Sequence, residues 1–175
     1  MYYEFEVRKL KSIGFIYKSE SQIDEIIKAN NLNTLNEYLI RIHTCVHDVD
    51  TIKPFIDFIL SRFPNSKIIG SSTSGVIFEG EIHQDCCLIS ITRFKNASVN
   101  TALVGLVDSD GNDVNAYLLA ENLSSYIGKN TRFVLNFFSK IYTMSTEYVK
   151  CMDELMPQVH MLGGFANASV KNRSK

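Results

Sequence analysis

Residues Tyr38–Val46, YLIRIHTCV, alternate apolar and polar side chains, then give way to an apolar stripe of helical period and to a second apolar run, KIIG at Lys67–Gly70. This order of strand, amphipathic helix and buried strand constrains the fold more than any other feature of the chain. Ile40, Ile42, Thr44 and Val46 fall on one side of the first strand, and Arg41, His43 and Cys45 on the other. Asp50 is placed to cap the helix, whose face carries Ile52, Phe55, Ile56, Ile59, Leu60 and Phe63. The helix is expected to stop before Pro64, because the residue ahead of a proline disfavours helix.

The rest of the chain repeats the alternation. Glu4–Val7 and Ile13–Lys18 read as β segments. Ser21, three residues before Asp24, resembles a capping box, and Ile23, Ile26 and Ile27 share a helical face behind it. Leu32, Leu35 and Leu39 extend the apolar stripe. Cys86–Phe94 and Ser98–Leu106 read as two strands joined by Lys95-Asn96-Ala97 into an antiparallel hairpin. Asp108–Asn112 reads as a loop before a helix built on Val114, Tyr117 and Leu118 and ending near Gly128. Arg132–Phe138 is a strand, and Ser145–Met156 a helix with Val149, Met152, Leu155 and Met156 on one face, stopped by Pro157. Gln158–Gly164 is the last strand. The predicted fold class is α/β, a mixed β-sheet that includes an antiparallel hairpin, with helices packed on it.

Several function classes drop out. The net charge is −1 over 175 residues with both signs interspersed, so no basic block exists to grip a phosphate backbone, and nucleic acid is not an expected partner. No apolar run approaches the roughly 18 residues that span a bilayer, so no direct membrane insertion is expected. The start of the chain lacks the apolar core of a signal peptide. A cytoplasmic protein with its four cysteines reduced is expected. Cys45, Cys86, Cys87 and Cys151 make no CxxC pair, and adjacent Cys86 and Cys87 point to opposite faces of a strand.

Between the KIIG strand and Val76 stand Gly70, Ser71, Ser72, Thr73, Ser74 and Gly75. Small residues after a strand let a ligand approach the backbone, and consecutive hydroxyls and N–H groups can hydrogen-bond an anion. A second small-residue stretch, LGGFAN at Leu162–Asn167, follows another predicted strand. Ligands of α/β sheets sit beyond the carboxyl ends of strands, so the two turns are expected to line one pocket. Ligand contacts are assigned to Gly70, Ser71, Ser72, Thr73, Ser74, Gly75, Gly163, Gly164 and Asn167. A valine at Gly75 is expected to abolish binding while leaving the fold largely intact.

No catalytic residue is assigned. The first motif is not a P-loop, since no GK[ST] follows, and it is not a G-x-S-x-G nucleophile elbow. Asp48, Asp50, Asp108 and Asp110 read as loop and cap residues. His43, Cys45 and His47 would share a strand face, and His83 lies in a polar loop. His43, His47 and His83 are therefore the residues on which a haem alternative would rest. No metal site is otherwise assigned.

The stretch IIGSSTSGVIFEGEI resembles the glycine–small–small–small–glycine signature of the FIST domain, and LGGFAN is similar to that family's second glycine motif. The order of elements between them fits as well. The resemblance divides the chain into a strand and helix segment at 1–34, a sensory domain similar to the N-terminal FIST half at 35–168, and a tail at 169–175. It implies a small-molecule-binding sensory domain of a bacterial signal-transduction protein, not an enzyme. The ligand would be an amino acid or related metabolite. The domain would regulate an output domain of the same chain: a diguanylate cyclase, a cyclic-di-GMP phosphodiesterase, a histidine kinase or a chemotaxis module. No such module lies in these residues, so the chain is expected to be part of a longer sensor. A haem or nitric oxide sensor and a protein-interaction domain without a small ligand are the alternatives. Val76 stands where the family often has an acidic residue, and Asn167 and Ala168 where it often has an aspartate.

Overall fold

A computed structural model describes residues 3–7, 10–46, 48–138 and 145–165. The described residues form two compact units, one within residues 1–101 and one within residues 102–166.

In the first unit, β1 (Tyr3–Val7) and β2 (Leu10–Ile16) form an antiparallel hairpin. Helix α1 (Glu20–Ala29) follows, then β3 (Leu39–Thr44), helix α2 (Val49–Arg62), β4 (Lys67–Ser72), the short β5 (Val76–Phe78) and β6 (Glu81–His83), and β7 (Cys87–Phe94). Five strands make one mixed sheet in the order β1-β2-β7-β3-β4. Only β3 and β4 are parallel, and α2 supplies the crossover that a parallel pair needs. Helices on a mixed sheet make this an α/β fold, as its alternation of elements predicts.

Register explains where the core lies. Ile13, Ile91, Ile40 and Ile68 are neighbours across four strands, and Phe15, Ile89, Ile42 and Gly70 form the next core row. These rows pack with Ile23 and Ile26 of α1 and Ile59 and Phe63 at the end of α2. Side chains alternate along a strand, so the intervening rows face the opposite side. There Gly14, Ser90, Arg41 and Ile69 are neighbours, followed by Ile16, Leu88, His43 and Ser71.

β5 and β6 pair as a separate hairpin. Its turn residues Glu79 and Gly80 have φ of 53° and 82°, both in the left-handed region that tight hairpin turns use. Phe78 lies over Gly14, with ring atom Cε2 3.2 Å from where a Cβ there would stand.

The second unit holds α3 (Ala116–Ser124), β8 (Phe133–Phe138), α4 (Ser145–Leu155) and β9 (His160–Phe165). β8 and β9 are parallel, with α4 as the connection. Val114, Ala116, Leu119, Ala120, Tyr148 and Met152 form its core, and the Phe138 and Tyr148 rings meet edge-on at 5.4 Å.

Several local expectations are corrected. Ser98–Leu106 is not a strand, so it forms no hairpin with β7. The reason is that β2 and β3 already occupy both edges of β7. Val99 instead donates its N–H to Glu37 Oε1 at 3.0 Å. The N-cap of α1 is Ser19, not Ser21, and that of α2 is Asp48, not Asp50. In α3 the buried face is Ala116, Leu119 and Ala120, while Tyr117 and Leu118 are exposed. In α4 Tyr148 and Met152 are buried and Val149 is exposed. Leu35 is exposed too.

Candidate functional site

The hydroxyl run sits at the carboxyl end of the parallel pair. β4 continues through Ser71 and Ser72, which pair with His43 and Thr44. Two of the four hydroxyl residues therefore belong to the strand, not to the turn. Ser71 shares the polar face with His43, and Ser72 lies on the core side with Thr44.

Each hydroxyl has a different setting. Ser71 Oγ is 3.0 Å from His43 Nδ1. Thr73 is used by the fold: its N–H donates to the Thr44 carbonyl at 2.9 Å, and its hydroxyl donates to the Gly75 carbonyl at 2.8 Å. Ser72 is half-buried and Ser74 is exposed.

The glycines divide in the same way. A Cβ at Gly70 would collide with the backbone carbonyl of Ile42, its register partner in β3. In the second unit Gly163 repeats this relationship with the carbonyl of Asn136 in β8, and its φ is 135°. Both glycines are therefore required by close strand approach. Gly75 has the His83 carbonyl 3.1 Å from its Cβ position. A Cβ at Gly75 would stand against β6, whose His83 carbonyl would have to give by a few tenths of an ångström. Gly164 is different: nothing lies within 4 Å of its Cβ position, and it is exposed. Gly163 and Gly164 lie within β9 and not in a turn after it. Asn167 lies outside the described residues.

His43 is half-buried, and its pKa is lowered from 6.5, first by burial and then by the positive charge of Arg41. The neutral imidazole is the favoured form. His83 stands on β6, with its ring centroid 6.3 Å from that of Phe78. His47 lies outside the described residues. Among the described residues no group of three or more His, Cys, Asp and Glu side chains is placed to hold a metal ion.

Arg41 is the residue that the motif-based assignment missed. It sits on β3 beside Ser90 and Ile69, two positions before His43 on the same face. Its Nε is buried and has no hydrogen-bond partner among the described residues. The signal was present in the sequence as a charged residue at an alternate position of a strand whose other face is aliphatic.

Two shallow clefts lie elsewhere. One of about 130 Å³ is bordered by Lys11, Asn30, Tyr38 and Arg93, and one of about 210 Å³ by Glu37, Arg93 and Phe94. Both adjoin the amino end of β3, away from the hydroxyl run. They fall short of the roughly 300–1,000 Å³ of ordinary small-molecule pockets.

Among the described residues no helix is long and apolar enough to cross a membrane. No curated protein matches the chain. The family model of the FIST N domain matches residues 42–174, a span that contains both glycine motifs. This chain belongs to the FIST N domain family, a family of sensory signal-transduction domains.

Proposed function

We propose that this chain is the small-molecule-sensing part of a bacterial signal-transduction protein. Its ligand is a small polar metabolite of the amino-acid class, held on the polar face of the first unit's sheet. The observation that carries this reading is the buried Nε of Arg41, without a hydrogen-bond partner among the described residues, on the same face as the His43–Ser71 pair. An unsatisfied buried donor costs on the order of 1–3 kcal/mol. A ligand carboxylate would offset that cost and neutralise the guanidinium. Ser71 and the exposed Ser74 add hydroxyls on the same unit. No prosthetic group is required.

The mechanism is a population shift. A ligand that prefers one arrangement of the strands around Ser71 changes the balance of states by its differential affinity, and no more than that. The attached output domain reads the balance. The regulated module is a diguanylate cyclase, a cyclic-di-GMP phosphodiesterase, a histidine kinase or a chemotaxis domain. The partners are the metabolite and this module, and neither nucleic acid nor a bilayer.

A thermal-shift screen of the purified chain against amino acids and small carboxylates tests the reading, since a ligand that binds only the folded state raises its melting temperature. A rise confined to one ligand class supports it. A melting temperature unmoved by every compound at millimolar concentration argues for a domain without a small ligand.

A further inference from the structure

We propose that Cys45 and Cys86 form a reversible disulfide, a redox modification site at the rim of the sheet next to the hydroxyl run. β3 and β7 are antiparallel, with Thr44 opposite Cys87. The next residues outward, Cys45 and Cys86, therefore face each other one position beyond the ladder. The Cys45 N–H donates to the Cys86 carbonyl at 2.9 Å, so the pairing continues to this position. Opposed residues of a hydrogen-bonded antiparallel pair stand about 5.5 Å apart at Cα. That lies inside the roughly 4.4–6.8 Å range over which disulfides form.

The side chains meet as this register requires. Both thiols are free and half-buried. Burial pushes the Cys86 thiol up, and the adjacent Cys45 sulfur, which hydrogen-bonds it, pushes it further. The other two cysteines are placed differently. Cys87 is the register partner of Thr44 on the core side of the sheet, and burial pushes its thiol up to about 11. Cys151 packs on the core of the second unit. Cys45 and Cys86 are thus an opposed pair on one sheet face, and neither remaining cysteine shares that arrangement.

The oxidant is a small disulfide of the glutathione class. The Cys45 thiolate attacks one of its sulfurs, forming a mixed disulfide and releasing one small thiol. Cys86, after losing its proton to solvent, attacks the Cys45 sulfur and releases the second small thiol. Two protein thiols become one S–S bond while the small disulfide is reduced to two thiols, so electrons and protons balance. Cys86 must lose its proton before it attacks, and its raised pKa makes closure faster as pH rises. The bond ties the carboxyl end of β3 to the amino end of β7, beside the backbone link from Thr73 to Thr44. It does not depend on the ligand proposed above.

The test uses the whole chain with oxidised glutathione, followed by thiol blocking and digestion without reductant. Two of the four thiols are expected to be lost, with recovery of a crosslinked peptide pair containing Cys45 and Cys86. The link should disappear in Cys45→Ser and Cys86→Ser, persist in Cys87→Ser and Cys151→Ser, and reverse with dithiothreitol. The wild-type peptide map stands without any variant that fails to fold. A Cys86–Cys87 link, stable glutathione adducts on unlinked Cys45 or Cys86, or four unreacted thiols would overturn the proposal.

Discussion

His43 Nδ1 and Ser71 Oγ are 3.0 Å apart across the parallel pair β3–β4. The contact joins the first residue of the hydroxyl run to a histidine 28 positions earlier. Ser71→Ala removes this bond, and urea unfolding should show a loss of about 1 kcal/mol. A variant as stable as wild type would show that the pair contributes nothing to the fold.

The same pair gives stability a defined pH dependence. In the folded chain His43 is harder to protonate than its ordinary value of 6.5, chiefly because it is buried. As pH falls, the unfolded chain takes up this proton first. The contribution is therefore complete above pH 6.5 and is lost as pH drops from there toward the folded pKa. Urea unfolding on both sides of pH 6.5 should show a steeper acid loss for wild type than for His43→Gln, and equal slopes would contradict the assignment. Asp48 acts in a separate, more acid window. Its carboxylate accepts hydrogen bonds from the Thr51 hydroxyl and N–H, which lower its pKa below 3.8. Its contribution is present above that value and is lost as pH falls through the folded one.

Neighbouring glycines in β9 should behave in opposite ways. Gly163→Ala places a Cβ against the Asn136 carbonyl at a φ of 135°, and a cost of about 3 kcal/mol or more is expected from strain and collision together. Gly164→Ala meets open space, and its effect should stay within about 0.5 kcal/mol. Thermal unfolding of the two variants side by side checks the contrast. Equal destabilisation would mean that β9 pairs with β8 in a different register.

The purified protein should be colourless. An absorption spectrum with a Soret band that vanishes in His43→Ala would place a haem on this strand and contradict ligand binding without a prosthetic group.

The elements that sequence patterning located best are those with a clean period. β3 alternates along its whole length, and the stripe of α2 ends on the buried Ile59 and Phe63 just before Pro64. The hairpin drawn from Cys86 to Leu106 failed because apolar content says nothing about which strand edges are taken. β2, from the start of the chain, fills the edge that Ser98–Leu106 would have used. The caps at Ser19 and Asp48 were misplaced by two residues, since another side chain of the right type lay close by. In the site, the glycine motifs were legible, but their reasons were not. That Gly70 and Gly163 answer to a neighbouring carbonyl is a fact of register, visible only once the strands are paired. Arg41 belongs to no motif, and the burial of its Nε follows only from the pairing of β3 with β4 and β7.

In the proposed function Arg41 holds the ligand's anionic group. Isothermal titration of the best compound from the screen into wild type and Arg41→Gln checks this role. A loss of affinity of about tenfold or more, the equivalent of roughly 1.4 kcal/mol, is expected in the variant, which should still unfold cooperatively in urea. Equal affinity in both proteins would contradict it.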